Sequence, residues 1–394
     1  MDDSIEDYIS KEMNIKLKKR KILIKDTDKE IMKTLKKEDY DIEYINVQNN
    51  SINGIANRSR DRYFFKILNK QDFINEIIGY IHIKETLPIN RIKEILEFQN
   101  NYCIIIYNYE NTISKNKGLL NDFFVKNDLV IYDDSEEIIS KIINLYQKIF
   151  SKTIIAEEYP MQQFFKDRID SRLKKWYNNE TLFEYSVIIN GVGSKKTKEI
   201  VKECIEFFNL NHKLKCALTQ GDPNTLNIGI KPIFFDFATA GYNPIICELS
   251  AIFWSVIIAD AYFCPKYHKK SYNNHENVFE NIEKFAPDIK YTTNDIKKEI
   301  NIVTNIKTSK IRIDFMKKYI KMLKELNVNI NKEIIYFLIM RILCIFDIRT
   351  MEKKDYFYSI FILHYIYQNT LNDTYNSLNT ILDDFQTIIW YINY

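Results

Sequence analysis

The sequence predicts an α+β protein with a small strand-rich region up to about residue 108 and a large, mainly helical region after it. Between Tyr40 and Tyr107, short apolar runs alternate with polar turns, which is the pattern of strands. After about residue 111, apolar residues recur at helical spacing. Three of the 8 glycines (Gly221, Gly229, Gly241) and two of the 7 prolines (Pro223, Pro232) fall within Thr219–Gly241, so unusual backbone is concentrated in one stretch.

Composition sets the outer bounds. A chain of 394 residues, 46% hydrophobic and 28% charged, can build two lobes with real cores. Its net charge of +3 comes from 56 basic and 53 acidic residues, a balance that argues against a nucleic-acid partner. The six cysteines are widely spaced without a C-x-x-C pair, and several sit in apolar segments, so reduced thiols and a cytoplasmic location are expected. The five histidines show no metal-ligand spacing. The opening Met-Asp-Asp-Ser-Ile-Glu is unlike a secretory leader, and the apolar run from Leu249 to Phe263 is interrupted by Asp260. That run falls short of the ~20 residues of a membrane helix, so a buried helix and no membrane partner are expected.

Residues 1–39 are Lys-rich and read as a helical extension. Their charges suit either solvated helix faces or a basic patch, and interleaved acids with no aromatic platform favour the first. From Tyr40, Asp41–Val47 alternates as a half-buried strand, Gln48–Gly54 reads as a loop, and Arg62–Leu68 as a second strand. Lys66 alternates with Phe65 and Ile67, either as a snorkelling edge residue or as a charge aimed at a ligand. Asn69 is placed to cap the next helix, with Asp72 in its first turn. Phe73, Ile77, Tyr80 and Ile81 form that helix's apolar stripe, and Glu76 lies at its rim.

Arg91–Phe98 and Asn101–Tyr107 read as further strands, the second apolar enough to be buried on both faces. Helical periodicity then covers Ser135–Phe150, Met161–Trp176 and Ser194–Phe208. Asn243-Pro244 is a helix-start signal with Glu248 in the first turn, and Asn294–Tyr394 reads as helical.

Within the central stretch, Ile228–Ile230 and Ile233–Phe235 read as two short strands turning at Lys231-Pro232. Such a ribbon sets Asn227 beside Asp236, with Asp222 on the preceding loop. Two readings follow: a hard-oxygen site suited to Mg²⁺ and phosphates, or a hairpin with solvated acids at its ends.

Gln220-Gly-Asp-Pro-Asn-Thr-Leu-Asn227, followed by Phe235-Asp-Phe-Ala-Thr-Ala-Gly-Tyr242, resembles the catalytic loop and metal-binding segment of the aminoglycoside phosphotransferase and choline kinase superfamily, H-G-D-x-x-x-x-N and then a strand ending in Asp. The resemblance implies a protein-kinase-like bilobal fold, with an antiparallel-sheet N-lobe at residues 40–108 and a helical C-lobe at 109–394. It implies transfer of the γ-phosphoryl of ATP or GTP to a hydroxyl of an amino sugar, sugar or amino alcohol. Asp222 would be the catalytic base, Asn227 and Asp236 the Mg²⁺ ligands, and Lys66 the phosphate-binding ammonium held by Glu76. Asn108 and Tyr109 would lie in the hinge that meets the nucleotide base. One position departs from the pattern, Gln220 standing where the family has His.

An amino-sugar acceptor predicts an acidic pocket, and the acids after residue 265 include Asp295 and Glu299. Gln220 and the Gly-poor strand pair near Gly54 also suit a second reading, a kinase-like module that binds a nucleotide or ligand without catalysis.

Overall fold

A computed structural model describes residues 11–12, 18–20, 33–48, 51–98, 102–130, 132–159, 163–210, 212–330, 332–370 and 374–388. The small lobe contains β1 (Lys18–Arg20), β2 (Asp41–Gln48), β3 (Ser51–Arg58), β4 (Asp61–Asn69), α1 (Lys70–Ile83), β5 (Ile92–Phe98) and β6 (Tyr102–Asn108). Among the described residues its sheet runs β1-β5-β6-β4-β3-β2, antiparallel except where β1 lies parallel to β5.

The two-residue period of β4 sorts its side chains. Tyr63, Phe65 and Ile67 face a core shared with Ala56, Leu96, Ile104 and Ile106, over which Leu35 and Tyr40 close. Lys66 falls on the opposite side with Phe64 and Leu68, towards the core that contains Phe73, Ile77 and Tyr80 of α1. The helix starts where expected, with Asn69 Oδ1 accepting the backbone N–H of Asp72 at 2.9 Å.

One expectation for this lobe is corrected. The Gln48–Gly54 loop is mostly strand: β3 begins at Ser51, held on both edges by β2 and β4, and Gly54 pairs with Ile45 and Phe65 inside the sheet. Only residues 49–50 separate the strands, and they lie outside the described residues. The 1–39 helical extension also lies largely outside them. What is described belongs to the small lobe, since Lys18–Arg20 adds a strand beside β5 and Leu35 is fully buried on the sheet.

The large lobe contains α2 (Leu120–Asn127), α3 (Ser135–Thr153), β7 (Ile155–Tyr159) and α4 (Gln163–Arg168), which continues through a wide π turn (Ile169–Lys174) to Tyr177. Then come β8 (Ser186–Ile189), β9 (Val192–Ser194), α5 (Thr197–Asn209), β10 (His212–Thr219), β11 (Gly241–Pro244) and α6 (Ile245–Trp254). The chain finishes with β12 (Lys290–Asn294), β13 (Glu299–Val303), α7 (Lys310–Glu325), α8 (Ile334–Cys344), α9 (Lys353–Asn369) and α10 (Thr374–Asp383).

The spine of this lobe is α6, which runs on through a π stretch (Ser255–Phe263) as a rod from Ile245 to Tyr267. Its 23 residues are long and apolar enough to cross a membrane, and its most apolar window is wholly buried in the protein, which is what a helix hydrophobic on all sides requires. A buried bidentate pair, Arg312 Nε to Asp128 Oδ1 at 2.7 Å and Nη2 to Oδ2 at 3.0 Å, ties α7 to the end of α2.

The architecture is α+β, an N-terminal sheet lobe on a helical C-terminal lobe, as the sequence predicts. The last hundred residues are less uniformly helical than expected, because β12 and β13 form a hairpin and β13 pairs in parallel with β8. The 228–235 ribbon is also narrower than two strands. One bridge joins Ile228 to Phe234, flanked by Gly229 N–H to Ile233 O at 2.9 Å and Phe235 N–H to Asn227 O at 3.0 Å. Asn243 does not cap α6: its amide bonds Thr219 Oγ1 and the Thr239 carbonyl, leaving Pro244 at the cap.

Candidate active site

Strand β4 delivers Lys66 into the cleft between the lobes, where its Nζ lies 2.9 Å from Glu76 Oε1 and 3.0 Å from Asp236 Oδ1. Burial opposes the charge on Lys66, but the two carboxylates outweigh it and raise the ammonium's pKa. The same ammonium holds the Asp236 carboxyl below the usual carboxylate range. Glu76 lies deeper than the rim position expected for it, 1% exposed, and burial pushes its carboxyl up. It is fully bonded, accepting also from Tyr107 Oη at 2.7 Å and from the backbone N–H of Phe237 at 3.1 Å. Helix α1 gets this close through Gly79, where a Cβ would stand 1.7 Å from the Phe237 carbonyl oxygen.

The loop after β10 is braced against the Asp236 segment. Gln220 is fully buried, and its Nε2 donates to the carbonyls of Phe235, at 2.8 Å, and of Asp236, while its Oε1 accepts the Asp222 N–H at 2.8 Å. Both ends of the amide are used, three contacts in all, so Gln220 joins the Asp222 loop to the Asp236 loop. Gly221 follows at φ +86, and a Cβ there would stand 2.1 Å from the Thr239 carbonyl oxygen. Its N–H is accepted by Glu248 Oε2 at 3.1 Å, and burial pushes the Glu248 carboxyl up to about 7. Asp236 itself sits at φ 61, sparsely populated space for a residue with a side chain.

Asp222 and Asn227 frame the same loop. Asn227 Nδ2 donates to the Asp222 carbonyl at 3.0 Å, which turns its oxygen towards the cleft. The Asp222 carboxylate is gripped by Arg341 Nη1, and Arg341 is almost wholly buried on α8.

Two cavities meet here. One, of about 360 Å³, is lined by Lys66, Tyr109, Glu110, Asn227 and Asp236. The other, of about 700 Å³, is lined by Asp222, Arg341, Arg168, Arg172 and Trp176 among others. Asn224, Leu226 and Ser271 belong to both walls. At the outer lip of the first cavity, Asn273 Nδ2 donates to Asn46 Oδ1 at 3.1 Å, joining the lobes.

Of the residues singled out from the sequence, Lys66, Glu76, Asn227 and Asp236 converge at this cleft, with Asp222 on the adjoining wall. Tyr109 lines the cleft, but Asn108 does not: it ends β6 with its N–H donated to the Arg91 carbonyl. Asp295 and Glu299 lie on the β12–β13 hairpin and line neither cavity, Asp295 accepting from Tyr185 Oη at 3.1 Å. Sequence reasoning missed the arginines. Arg341 is the one charge in Ile334–Cys344, and Arg168 and Arg172 stand four apart on one helix, signals that mark a buried partner and a shared face.

No protein-family model matches the chain, and no curated protein matches it. Solved structures with similar folds include amicoumacin kinase hAmiN in complex with AMP-PNP, Ca²⁺ and Ami. It shows 11% identity and a TM-score of 0.47, over 90% of this chain and 97% of that one. Aminoglycoside-3'-phosphotransferase of type VIII shows 8% identity and a TM-score of 0.44, over 79% of this chain and 96% of that one. Aminoglycoside phosphotransferase APH(4)-Ia shows 10% identity and a TM-score of 0.42, over 91% of this chain and 98% of that one. The chain is similar to these phosphotransferases in fold, and its own geometry must carry the chemistry.

Proposed function

We propose that this protein transfers the γ-phosphoryl of a nucleoside triphosphate to the hydroxyl of a small molecule. The observation that carries the reading is the Lys66 ammonium placed 2.9 Å from Glu76 and 3.0 Å from Asp236, beside the cavity that holds Asp222. Charge neutralisation and positioning are what phosphoryl transfer demands of a protein, more than covalent help.

The donor set suits the implied metal. Asp236 and Asn227 offer one carboxylate and one amide oxygen on the same cavity wall, the kind of sparse oxygen set that holds Mg²⁺ together with nucleotide phosphates. The bound metal would neutralise phosphate charge. Lys66, steadied by Glu76, meets the α- and β-phosphates, and Tyr109 and Glu110 line the side where the base lies.

On the other wall, Asp222 accepts the acceptor's hydroxyl proton, and Arg341 fixes the direction of its carboxylate. The hydroxyl oxygen forms the new bond to the γ-phosphorus as the bond to the β,γ-bridging oxygen breaks. The products are a nucleoside diphosphate and a phosphate monoester. The grip of Arg341 on Asp222 also favours a second reading, a module that binds nucleotide without turnover.

One experiment separates them. The purified protein is incubated with MgATP and MgGTP against a panel of hydroxyl compounds, and nucleoside diphosphate release is followed beside nucleotide-induced melting shifts. Turnover that disappears in Asp222→Asn and Asp236→Asn supports the kinase. Melting shifts without turnover favour the binding module. Turnover that survives both substitutions overturns the assignment of roles.

A further inference from the structure

Beyond the α6 rod the chain makes two short 3₁₀ turns, Lys269–Tyr272 and Glu276–Glu280, and between them His275 joins the wall of the cavity of about 360 Å³. This segment is tied to the stretch that follows Tyr109 and Glu110. The Asn274 carbonyl accepts the Asn116 N–H at 2.7 Å, Asn116 Oδ1 accepts the Asn277 N–H at 3.1 Å, and Tyr272 is buried against Val125 of α2.

The His275 ring is held by a carboxylate of the same helix. Its Nδ1 lies 2.8 Å from Asp122 Oδ1 and 2.9 Å from Oδ2, and Oδ2 also accepts the Leu119 N–H at 3.0 Å. Both side chains are buried. A carboxylate has no hydrogen to give, so Nδ1 carries the hydrogen and the neutral ring keeps a lone pair on Nε2. Among the described residues Nε2 has no hydrogen-bond partner. His275 therefore brings an acceptor, not a donor, to the cavity wall.

That acceptor suits only part of a nucleotide. Phosphate oxygens are acceptors themselves and gain nothing from a second lone pair. In the reading above, the base lies beside Tyr109 and Glu110 and the phosphates beside Lys66 and Asp236. Between base and phosphates a nucleotide carries its ribose, whose hydroxyls donate.

We infer that His275 Nε2 accepts a hydrogen bond from a ribose hydroxyl of the nucleotide, with Asp122 fixing the tautomer, so that the site takes ribonucleotides in preference to their deoxy forms. The inference rests on the nucleotide part of the phosphotransfer reading. In its terms His275 is a specificity-determining residue and Asp122 a positioning residue.

Binding is measured by calorimetry on the full chain with MgATP, MgGTP and the 2'-deoxy and 3'-deoxy forms of each. At least one deoxy form should bind roughly tenfold more weakly than its parent, the scale of one hydrogen bond. His275→Phe keeps a flat ring and removes the acceptor. It should bring the parent nucleotide down to the affinity of that deoxy form and leave the deoxy form within about twofold of its original affinity, as for a group that makes no other contact. His275→Gln retains an acceptor oxygen and should fall between the two, and it carries the comparison if the Phe variant does not fold. Unliganded melting temperatures show which variants are folded. Equal binding of parent and deoxy forms, an undiminished preference in His275→Phe, or an equal loss for parent and deoxy forms in that variant would overturn the inference. Binding of no nucleotide at all would overturn the phosphotransfer reading along with it. A ribose preference carried by His275 without nucleoside diphosphate release would instead count against the kinase reading and leave this contact in place.

Discussion

Glu76 on α1 accepts the backbone N–H of Phe237 at 3.1 Å, so one small-lobe carboxylate holds the residue next to Asp236 while its other oxygen holds Lys66. Removing it should misplace both ends of the proposed nucleotide site. We expect Glu76→Gln to keep the Phe237 contact and lose most of the charge pairing, and Glu76→Ala to lose both. Nucleoside diphosphate release should fall by roughly 10²–10³ in Lys66→Met, the scale seen for loss of one group that stabilises transition-state charge. Glu76→Ala should fall nearly as far and Glu76→Gln less. Steady-state kinetics over a nucleotide series would check the order.

Gly79 lies against the Phe237 carbonyl with no room for a side chain. Gly79→Ala usually favours a helix, yet here the methyl must displace backbone, so the variant should be destabilised by roughly 1–3 kcal/mol, as in other overpacked sites. Urea unfolding of the two proteins would show it. A gain in stability would mean that the close approach is wrong.

Gln220 makes contacts on both sides of its amide in a fully buried setting. Gln220→Ala leaves two carbonyls and one N–H without that partner and should cost about 1–3 kcal/mol. Gln220→His, which restores the ring found in the family motif, can replace some but not all of these bonds and should fall between the two in melting temperature. Turnover should follow the same order, because the amide joins the loops of Asp222 and Asp236.

Glu248 carries a pH signature. Its carboxyl is raised from 4.5 to about 7 in the fold, with burial as the main cause. Between these values the unfolded chain has released the proton and the folded one retains it, so this group's contribution is fully present below about 4.5 and is lost as pH rises through about 7. The slope is at most about 1.4 kcal/mol per pH unit. Glu248→Gln keeps an acceptor for the Gly221 N–H and cannot titrate. Its melting temperature should depend less steeply on pH across that window, and identical slopes in the two proteins would refute the assignment.

Much of the site could be read from the chain because its cues are local. Asn69, which caps α1, directly follows the apolar run of β4, and the alternation around Lys66 sets it opposite Phe65. Asp222, Asn227 and Asp236 sit within one short stretch of turns, so their spacing survives into the fold. What escaped depends on distant partners. Arg341 meets Asp222 across 119 positions, and β13 pairs with β8 from more than a hundred residues away. The first half of β3, Ser-Ile-Asn-Gly, reads as part of a polar loop and becomes strand because neighbours on both edges supply the hydrogen bonds its side chains do not suggest.

Two of the contacts that cross between the lobes are unequal. At the inner corner a buried carboxylate clasps the Phe237 amide, and at the outer lip Asn46 and Asn273 share one exposed amide bond of 3.1 Å. Widening the inner corner would strand a charged group away from water, whereas parting the asparagines exchanges one bond for solvent at little net cost. Nucleotide traffic should therefore pass by the asparagine side, with the inner corner acting as the fixed fulcrum.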